Sequence, residues 1–259
     1  MGKETGIAWT DHTFNIAWGC MKVSPGCKHC YAETFSKRTG HDIWGPPETT
    51  SRRTFGMKHW AELFVWNAAA ERAGVVRNVF CSSMADIFEN HPAIISELAK
   101  LWWVIGMTPW LNYQLLTKRP ERIPESLPPD WGLGYPNVWL GTSIESPEYI
   151  PRVKALLRNP ARLHFLSVEP LLTAFGHQEA MDLFAEVVDD GGRLQRIRWM
   201  IVGGESGPGH REMPLETAQH LVTLSRLLDV RVFVKQDSGP KPGRQGRIPN
   251  YDWIQEMPR

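Results

Sequence analysis

Residues 14–33 read FNIAWGCMKVSPGCKHCYAE, a short apolar run that breaks at Gly19 and opens into a loop holding Cys20, Cys27 and Cys30. The only other cysteine, Cys81, lies fifty-one residues beyond Cys30. Three thiols on one loop, with no fourth sulfur near them, describe a metal centre with an open position. A four-iron cluster held by three protein thiolates leaves one iron free to bind a small molecule. The Ser24–Pro25–Gly26 bend brings Cys20 back toward the Cys27-x-x-Cys30 pair. The same donors suit zinc if a histidine completes them, and His12, His29 and His41 are at hand. A redox pair is the third reading of C-x-x-C, and the nearby third cysteine weighs against it.

Outward from this loop, the apolar run that precedes it is the first of a series. Residues 78–83 (NVFCSS), 113–118 (YQLLTK), 138–143 (VWLGTS), 164–169 (HFLSVE), 199–204 (WMIVGG) and 230–236 (VRVFVKQ) follow, each ending in polar or glycine residues. Helical patterns over 57–73, 93–105 and 215–228 fall between them. Short continuous apolar runs alternating with helices predict βα units around a parallel sheet buried on both faces. Six or seven such units predict an α/β fold of the (βα)6 partial-barrel type. At 259 residues the chain suits one domain of this kind, 1–259, with an irregular tail from about 239. Pro120–Pro129 and Pro147–Pro151 read as loops or helix starts, and 186–193 as a surface excursion. Tyr251 and Trp253 are candidates to anchor the tail.

The polar residues collect at the carboxyl ends of the runs: Ser82, Ser83, Thr117, Lys118, Thr142, Ser143, Glu145, Glu169, Glu205, Lys235 and Gln236. In barrels and open α/β sheets that end forms the ligand site. Each serine or threonine taken singly reads equally well as a helix cap. Their recurrence across strands marks a mouth, and the cysteine loop follows the first strand into it. The 12 Trp read as core and pocket lining. Cys81 reads as a buried strand residue.

Charge excludes a global electrostatic partner, since 29 Lys and Arg face 28 Asp and Glu. Nucleic acid would have to meet a local patch, such as Lys118, Arg119 and Arg122, or Lys241, Arg244 and Arg247, which read equally as solvated charge. The first eleven residues carry no signal-peptide run, no stretch is long and apolar enough for a bilayer, and free thiols favour a reducing compartment. The expectation is a protein of the cytoplasm, without a membrane partner.

A three-cysteine loop after the first strand of a partial barrel, with Tyr31 beside the last cysteine, resembles the radical S-adenosylmethionine superfamily. The usual spacing there is C-x3-C-x-aromatic-C; here it is C-x6-C-x2-C with the aromatic following the last cysteine. In combination, the blocks HWAELFVWNAAAERAG (59–74), VFCSSMADIFE (79–89), YQLLTKRPER (113–122), VWLGTSIES (138–146), FLSVEPLL (165–172), IVGGESGPGHREM (201–213), FVKQDSG (233–239) and GRIPNYDWIQEMP (246–258) resemble a phage and bacterial family described by its three-Cys motif.

The resemblance implies an enzyme that cleaves S-adenosylmethionine reductively to a 5′-deoxyadenosyl radical, with Cys20, Cys27 and Cys30 holding a [4Fe-4S] cluster. It implies an electron donor of the flavodoxin or ferredoxin type, a partner protein encoded nearby, and nucleic acid as a substrate class. Where the superfamily places a GGE-like segment after the second strand, this chain has Ser83 and Asp86. The literal Gly203-Gly204-Glu205 comes after the sixth run. Lys118 and Ser143 would meet the methionine carboxylate or the ribose, Glu145 and Glu169 the adenosine or substrate, and Lys235 the opposite edge of the mouth. The competing expectation is a zinc-binding interaction or nucleic-acid-binding module in which the cysteines only staple a loop.

Overall fold

The computed structural model describes residues 5–189 and 191–258. In chain order its elements are β1 (His12–Thr13), β2 (Ala17–Trp18), α1 (Tyr31–Arg38), β3 (Arg53–Thr54), α2 (Met57–Ala73), β4 (Arg77–Cys81), α3 (Pro92–Met107), β5 (Leu111–Thr117), α4 (Ile123–Ser126), β6 (Val138–Ser143), α5 (Pro151–Leu157), β7 (Leu163–Val168), α6 (His177–Asp182), β8 (Glu186–Val188), β9 (Leu194–Gly203), α7 (Leu215–Leu227) and β10 (Arg231–Gln236).

Seven strands run parallel in the order β1-β4-β5-β6-β7-β9-β10, so each new strand is laid beside the last as the chain winds on. Parallel neighbours need crossover connections, which α2, α3, α5 and α7 help to supply. β1 and β10 end the sheet, and the structure is a partial barrel, as the βα alternation predicts. The free edge of β10 is covered by the tail: Val234 N–H donates to Ile254 O (2.7 Å) and Glu256 N–H to Val232 O (2.9 Å). Covering an edge in this way removes a template for unwanted pairing. Of the excursion at 186–193, Glu186–Val188 forms β8, which pairs antiparallel with the start of β9, and residue 190 lies outside the described residues.

Alternation along the strands sorts side chains into two buried sets. Val79, Cys81, Leu115, Leu140, Leu166, Val202 and Val234 face the helices, where α2 and α3 contribute Leu63, Leu98 and Leu101. Phe80, Trp139, Phe165, Trp199, Ile201 and Phe233 face the barrel interior, joined by Trp9 from the entering chain. Gly141 is required here: a Cβ on it would lie 2.4 Å from the Phe165 ring. Cys81 is fully buried, as expected.

The helix ends follow local chemistry. α2 stops at Gly74, whose left-handed φ of 64° closes the helix. α3 begins at Pro92, with the His91 ring accepting the Ala93 N–H.

The first run differs from its prediction. A single strand over 14–18 is expected, but β1 lies at His12–Thr13 and β2 turns away to pair antiparallel with β3. Asn15 is the reason. Phe14 N–H still donates to Phe80 O (3.0 Å), but then the buried Asn15 amide replaces the ladder, accepting Met84 N–H (2.7 Å) and donating to Ser83 Oγ (3.2 Å). A buried amide needs such partners, and making them ends the strand. Tyr251 also departs from expectation: it is 70% exposed, while Trp253 and Ile254 pack on the core.

Candidate active site at the barrel mouth

A cavity of about 750 Å³ opens at the carboxyl ends of the parallel strands. Cys20, Cys27 and Cys30 all line it, with Tyr31, Ser83, Asp86, Lys118, Ser143, Glu169, Gly204, Glu205 and Lys235. Inward-facing residues climb from apolar to polar along β4, β5, β6, β7 and β10 and the turns that follow them: Phe80 to Ser82, Leu116 to Lys118, Trp139 to Ser143, Phe165 to Glu169 and Phe233 to Lys235. The alternation that fills the floor with rings therefore also loads the rim with functional groups.

The cysteine loop is fastened at two places. Its first leg leaves β2 through Gly19, whose left-handed φ of 111° and close approach to Ile43 O exclude a side chain. The Met21 N–H then donates to Glu89 Oε1 (2.7 Å), and its carbonyl accepts from Arg119 Nη2 (2.7 Å). Arg52 grips Glu89 with two nitrogens, Nε at 2.8 Å and Nη2 at 2.9 Å, and both side chains are essentially unexposed. Arg119 also donates to Asp86 Oδ2 (2.8 Å) and lies 3.7 Å from Cys20 Sγ.

The second leg turns through a tight Pro25–Cys27 bend, Cys27 N–H donating to Ser24 O (2.9 Å), and enters α1 at Tyr31. Its fastening is Glu205, which accepts from Arg211 through N–H and Nε (2.9 Å each) and meets His29 Nδ1 at 3.0 Å. Arg211 Nη2 reaches on to Pro25 O (3.0 Å). Burial alone would raise the Glu205 carboxyl, but the Arg211 and His29 hydrogen bonds outweigh it and hold it at about 2.

Several sequence-predicted residues have other work. Glu145 does not line the cavity: it is fully buried beneath the cysteine loop, with Arg152 Nη1 on Oε2 (2.9 Å), and a Cβ on Gly26 would lie 3.2 Å from its carboxylate. Gly203 also stays off the lining. Gly204 permits a backbone crossing, since a Cβ would come 2.3 Å from Ser238 N. Asp86 lines the cavity, but its oxygens accept from Thr117 Oγ1, Phe88 N, Lys118 N and Arg119 Nη1. Ser83 is bonded through Oγ to Asn15 and through its carbonyl to the Tyr31 hydroxyl (2.8 Å).

Lys118, Ser143, Glu169 and Lys235 line the cavity, as their places at the strand ends predict. Lys235 donates to Glu169 Oε1 (2.6 Å), leaving Oε2 without a hydrogen bond. The Lys118 ammonium has no hydrogen bond or ion pair to any described residue.

Sequence reasoning missed Arg52, Glu89 and Arg211, and it offered His29 only as a zinc ligand, whereas its ring is bonded to Glu205. Arg119 carries a signal only as part of a basic cluster, yet it is a buried tie. Of the second basic patch, Arg247 is held bidentately by Asp237.

The donor set fits an iron–sulfur cluster better than one zinc ion. Among the described residues no group of three or more His, Cys, Asp or Glu is drawn together to hold a single ion. His29 is turned to Glu205 and His41 to Arg53. A cubane asks something else, one thiolate for each of three irons, and three cysteines around one cavity answer that demand. Burial pushes the Cys20 thiol up to about 12, Asp86 adding to the shift and Arg119 opposing it, and burial raises Cys30 too, with Lys118 pulling back. Both are thiols until a metal displaces the proton.

Among the described residues no helix is long and apolar enough to cross a membrane. No curated protein matches the chain. Solved structures of spore photoproduct lyase share the fold. A cysteine-to-serine mutant aligns with a TM-score of 0.53 at 15% identity, over 78% of this chain and 58% of that one. A double mutant with bound AdoMet and dinucleoside spore photoproduct aligns with a TM-score of 0.50 at 15% identity, over 75% and 56%. A complex with dinucleoside spore photoproduct aligns at 0.50 and 15%, over 77% and 57%. The present chain thus spans less than two thirds of the lyase's length. The likeness bears out the partial barrel expected from the radical S-adenosylmethionine resemblance. Over residues 4–248 the chain matches one family model, and it belongs to that family, described as a protein of unknown function, DUF5131.

Proposed function

We propose that the protein is an iron–sulfur enzyme of the radical S-adenosylmethionine type that acts on nucleic acid in the cytoplasm. The observation that carries this reading is the lining of one cavity by Cys20, Cys27, Cys30, Lys118, Glu169 and Lys235. When bound to the three cysteines, a [4Fe-4S] cluster supplies the electron that cleaves the sulfonium of S-adenosylmethionine, drawn from a flavodoxin- or ferredoxin-type donor.

The chain's own residues bind and orient. Lys118, unpaired, neutralises the methionine carboxylate. Glu169 is held in place by Lys235 and offers Oε2 to ribose hydroxyls, and the Ser143 hydroxyl adds a donor from the neighbouring wall. Asp86 and Glu205, their oxygens largely taken, hold the loops that carry these groups. The apolar walls below exclude water from the reacting centre. Nucleic acid as the substrate class draws support from the dinucleoside bound by spore photoproduct lyase.

Protein purified without oxygen and reconstituted with iron and sulfide is expected to be brown, with about four irons per chain, and to release 5′-deoxyadenosine from S-adenosylmethionine when dithionite is added. Cys27→Ala should lose the iron and the product together. Colourless protein carrying about one zinc per chain would overturn the assignment.

A further inference from the structure

α2 and α3 run side by side in the same direction. Trp60 Nε1 of α2 donates to Glu97 Oε2 of α3 (3.2 Å), with Lys100 Nζ over the Trp60 ring (4.8 Å), and one turn further on Phe64 meets Trp103 (6.2 Å between ring centroids). These contacts set Ala61 of α2 about level with Ala99 of α3. Outward, the two helices carry the same row at i, i+4 and i+8: Met57, Ala61 and Val65 on α2, Ile95, Ala99 and Trp103 on α3. All six are exposed, the large ones heavily: Met57 is 78%, Val65 58%, Ile95 51% and Trp103 63% open to solvent. Every exposed residue of α3 is uncharged, and Lys100 at its margin is folded onto Trp60. An apolar face that spans two helices marks an interaction site.

We propose that two copies of this chain meet here, α2 on α2 and α3 on α3, about a two-fold axis that passes over Ala61 and Ala99. The rows decide the occupant. A two-fold axis lying in the contact plane and crossing both helices reverses their direction, so a residue four positions after each alanine meets the one four positions before it. Trp103 then covers the partner subunit's Ile95, and Val65 covers the partner subunit's Met57. The alanines, having no bulk, let the helices approach where they cross. One such row would fit many surfaces, but two rows with their small residues level fit their own image. With no charge in either row, an acidic or basic partner finds no complement. The extent is sufficient as well. Helices of 17 and 16 residues are about 25 Å long and pack about 10 Å apart, which gives a footprint of roughly 25 by 20 Å. With side-chain relief added, that approaches the roughly 800 Å² each partner gives to a standard interface. Among the described residues none of α2 or α3 lines the cavity, so the pairing uses no part of the mouth and does not depend on the function proposed above.

The test is sedimentation equilibrium of the full chain without iron or S-adenosylmethionine, so that its outcome and that of the cluster chemistry are read separately. At about 50 μM, well above the Kd of a standard-size interface, twice the chain mass is expected. Ala99→Arg sets a charge on the axis at a position that is solvated and helical in the single chain, and it is expected to halve that mass with the far-UV circular dichroism unchanged. Ala99→Cys reads the axis itself, because a residue there meets its own copy within the reach of a disulfide. Mild oxidation is expected to convert most of that variant to covalent dimer, against a wild-type control that carries the four native thiols. A monomeric wild type overturns the proposal and leaves the face to a different partner. A dimer that survives Ala99→Arg, or one that Ala99→Cys links no better than wild type, also overturns it. Should Ala99→Arg fail to fold, a wild-type dimer with efficient linkage through Ala99→Cys upholds the proposal and any other result overturns it.

Discussion

The two fastenings of the cysteine loop are both arginine–glutamate pairs, yet they are made of different material. The Arg52–Glu89 pair on the first leg is unexposed, tied further to Arg119, and bonded to the backbone at Met21. The Glu205–Arg211–His29 group on the second leg leaves Arg211 and His29 each 29% exposed. Burial makes an ion pair expensive to assemble and more expensive to break by halves. A pair open to water is weaker and answers to salt and pH. One leg is therefore a fixed post, and the other a catch that water and salt reach through its Arg211 and His29 side, so the Cys27–Cys30 segment is expected to loosen before the stretch at Cys20 does.

The comparison breaks most readily at the post. Arg52→Met strands the Glu89 carboxylate in the core and is expected to cost about 3–5 kcal/mol in denaturant unfolding, whereas adding Glu89→Leu should recover much of that loss. A single-variant cost below about 1 kcal/mol would mean that the burial argument is wrong.

Glu205→Gln should cost less, about 1–2 kcal/mol, because water can replace part of what is lost. Its pH dependence has a definite sign. The folded carboxyl sits at about 2, below its ordinary 4.5, so the unfolded chain takes the proton first on acidification. The stabilisation is full above about 4.5 and disappears as pH falls toward 2. Urea midpoints of wild type and Glu205→Gln should therefore converge across that window. A constant gap would remove Glu205 from the account.

The smallest effect should sharpen the contrast. Raising salt to about 1 M is expected to quicken hydrogen exchange at the Cys27 and Lys28 amides while leaving Met21 protected. Equal acceleration on both legs would make them one unit.

The apolar runs show how much of this was legible in the chain. Val138–Ser143 and α2 over Met57–Ala73 fall where their patterns place them, because burial on both faces of a strand and a glycine stop after a helix are local signals. The polar strand ends pointed to the mouth for the same reason. Asn15 was not legible as a strand terminator, since what it replaces is a ladder sixty-odd residues away. Arg52 and Glu89 stand 37 positions apart, and His29 and Glu205 stand 176 apart. No periodicity connects such partners: Arg52 and Glu89 look alone like solvated charges, His29 like a metal ligand and Glu205 like a rim carboxylate. Glu145 reads as a rim carboxylate from its place after β6, but Gly26 overlies it, and only the folded loop reveals that.

Phe165 lying across Gly141, with Trp139 and Trp199 beside it, plugs the barrel beneath the cavity with packed rings. A methyl group at position 141 would have to evict the ring that occupies its place, so the depth of the chamber is set by a side chain the protein does without.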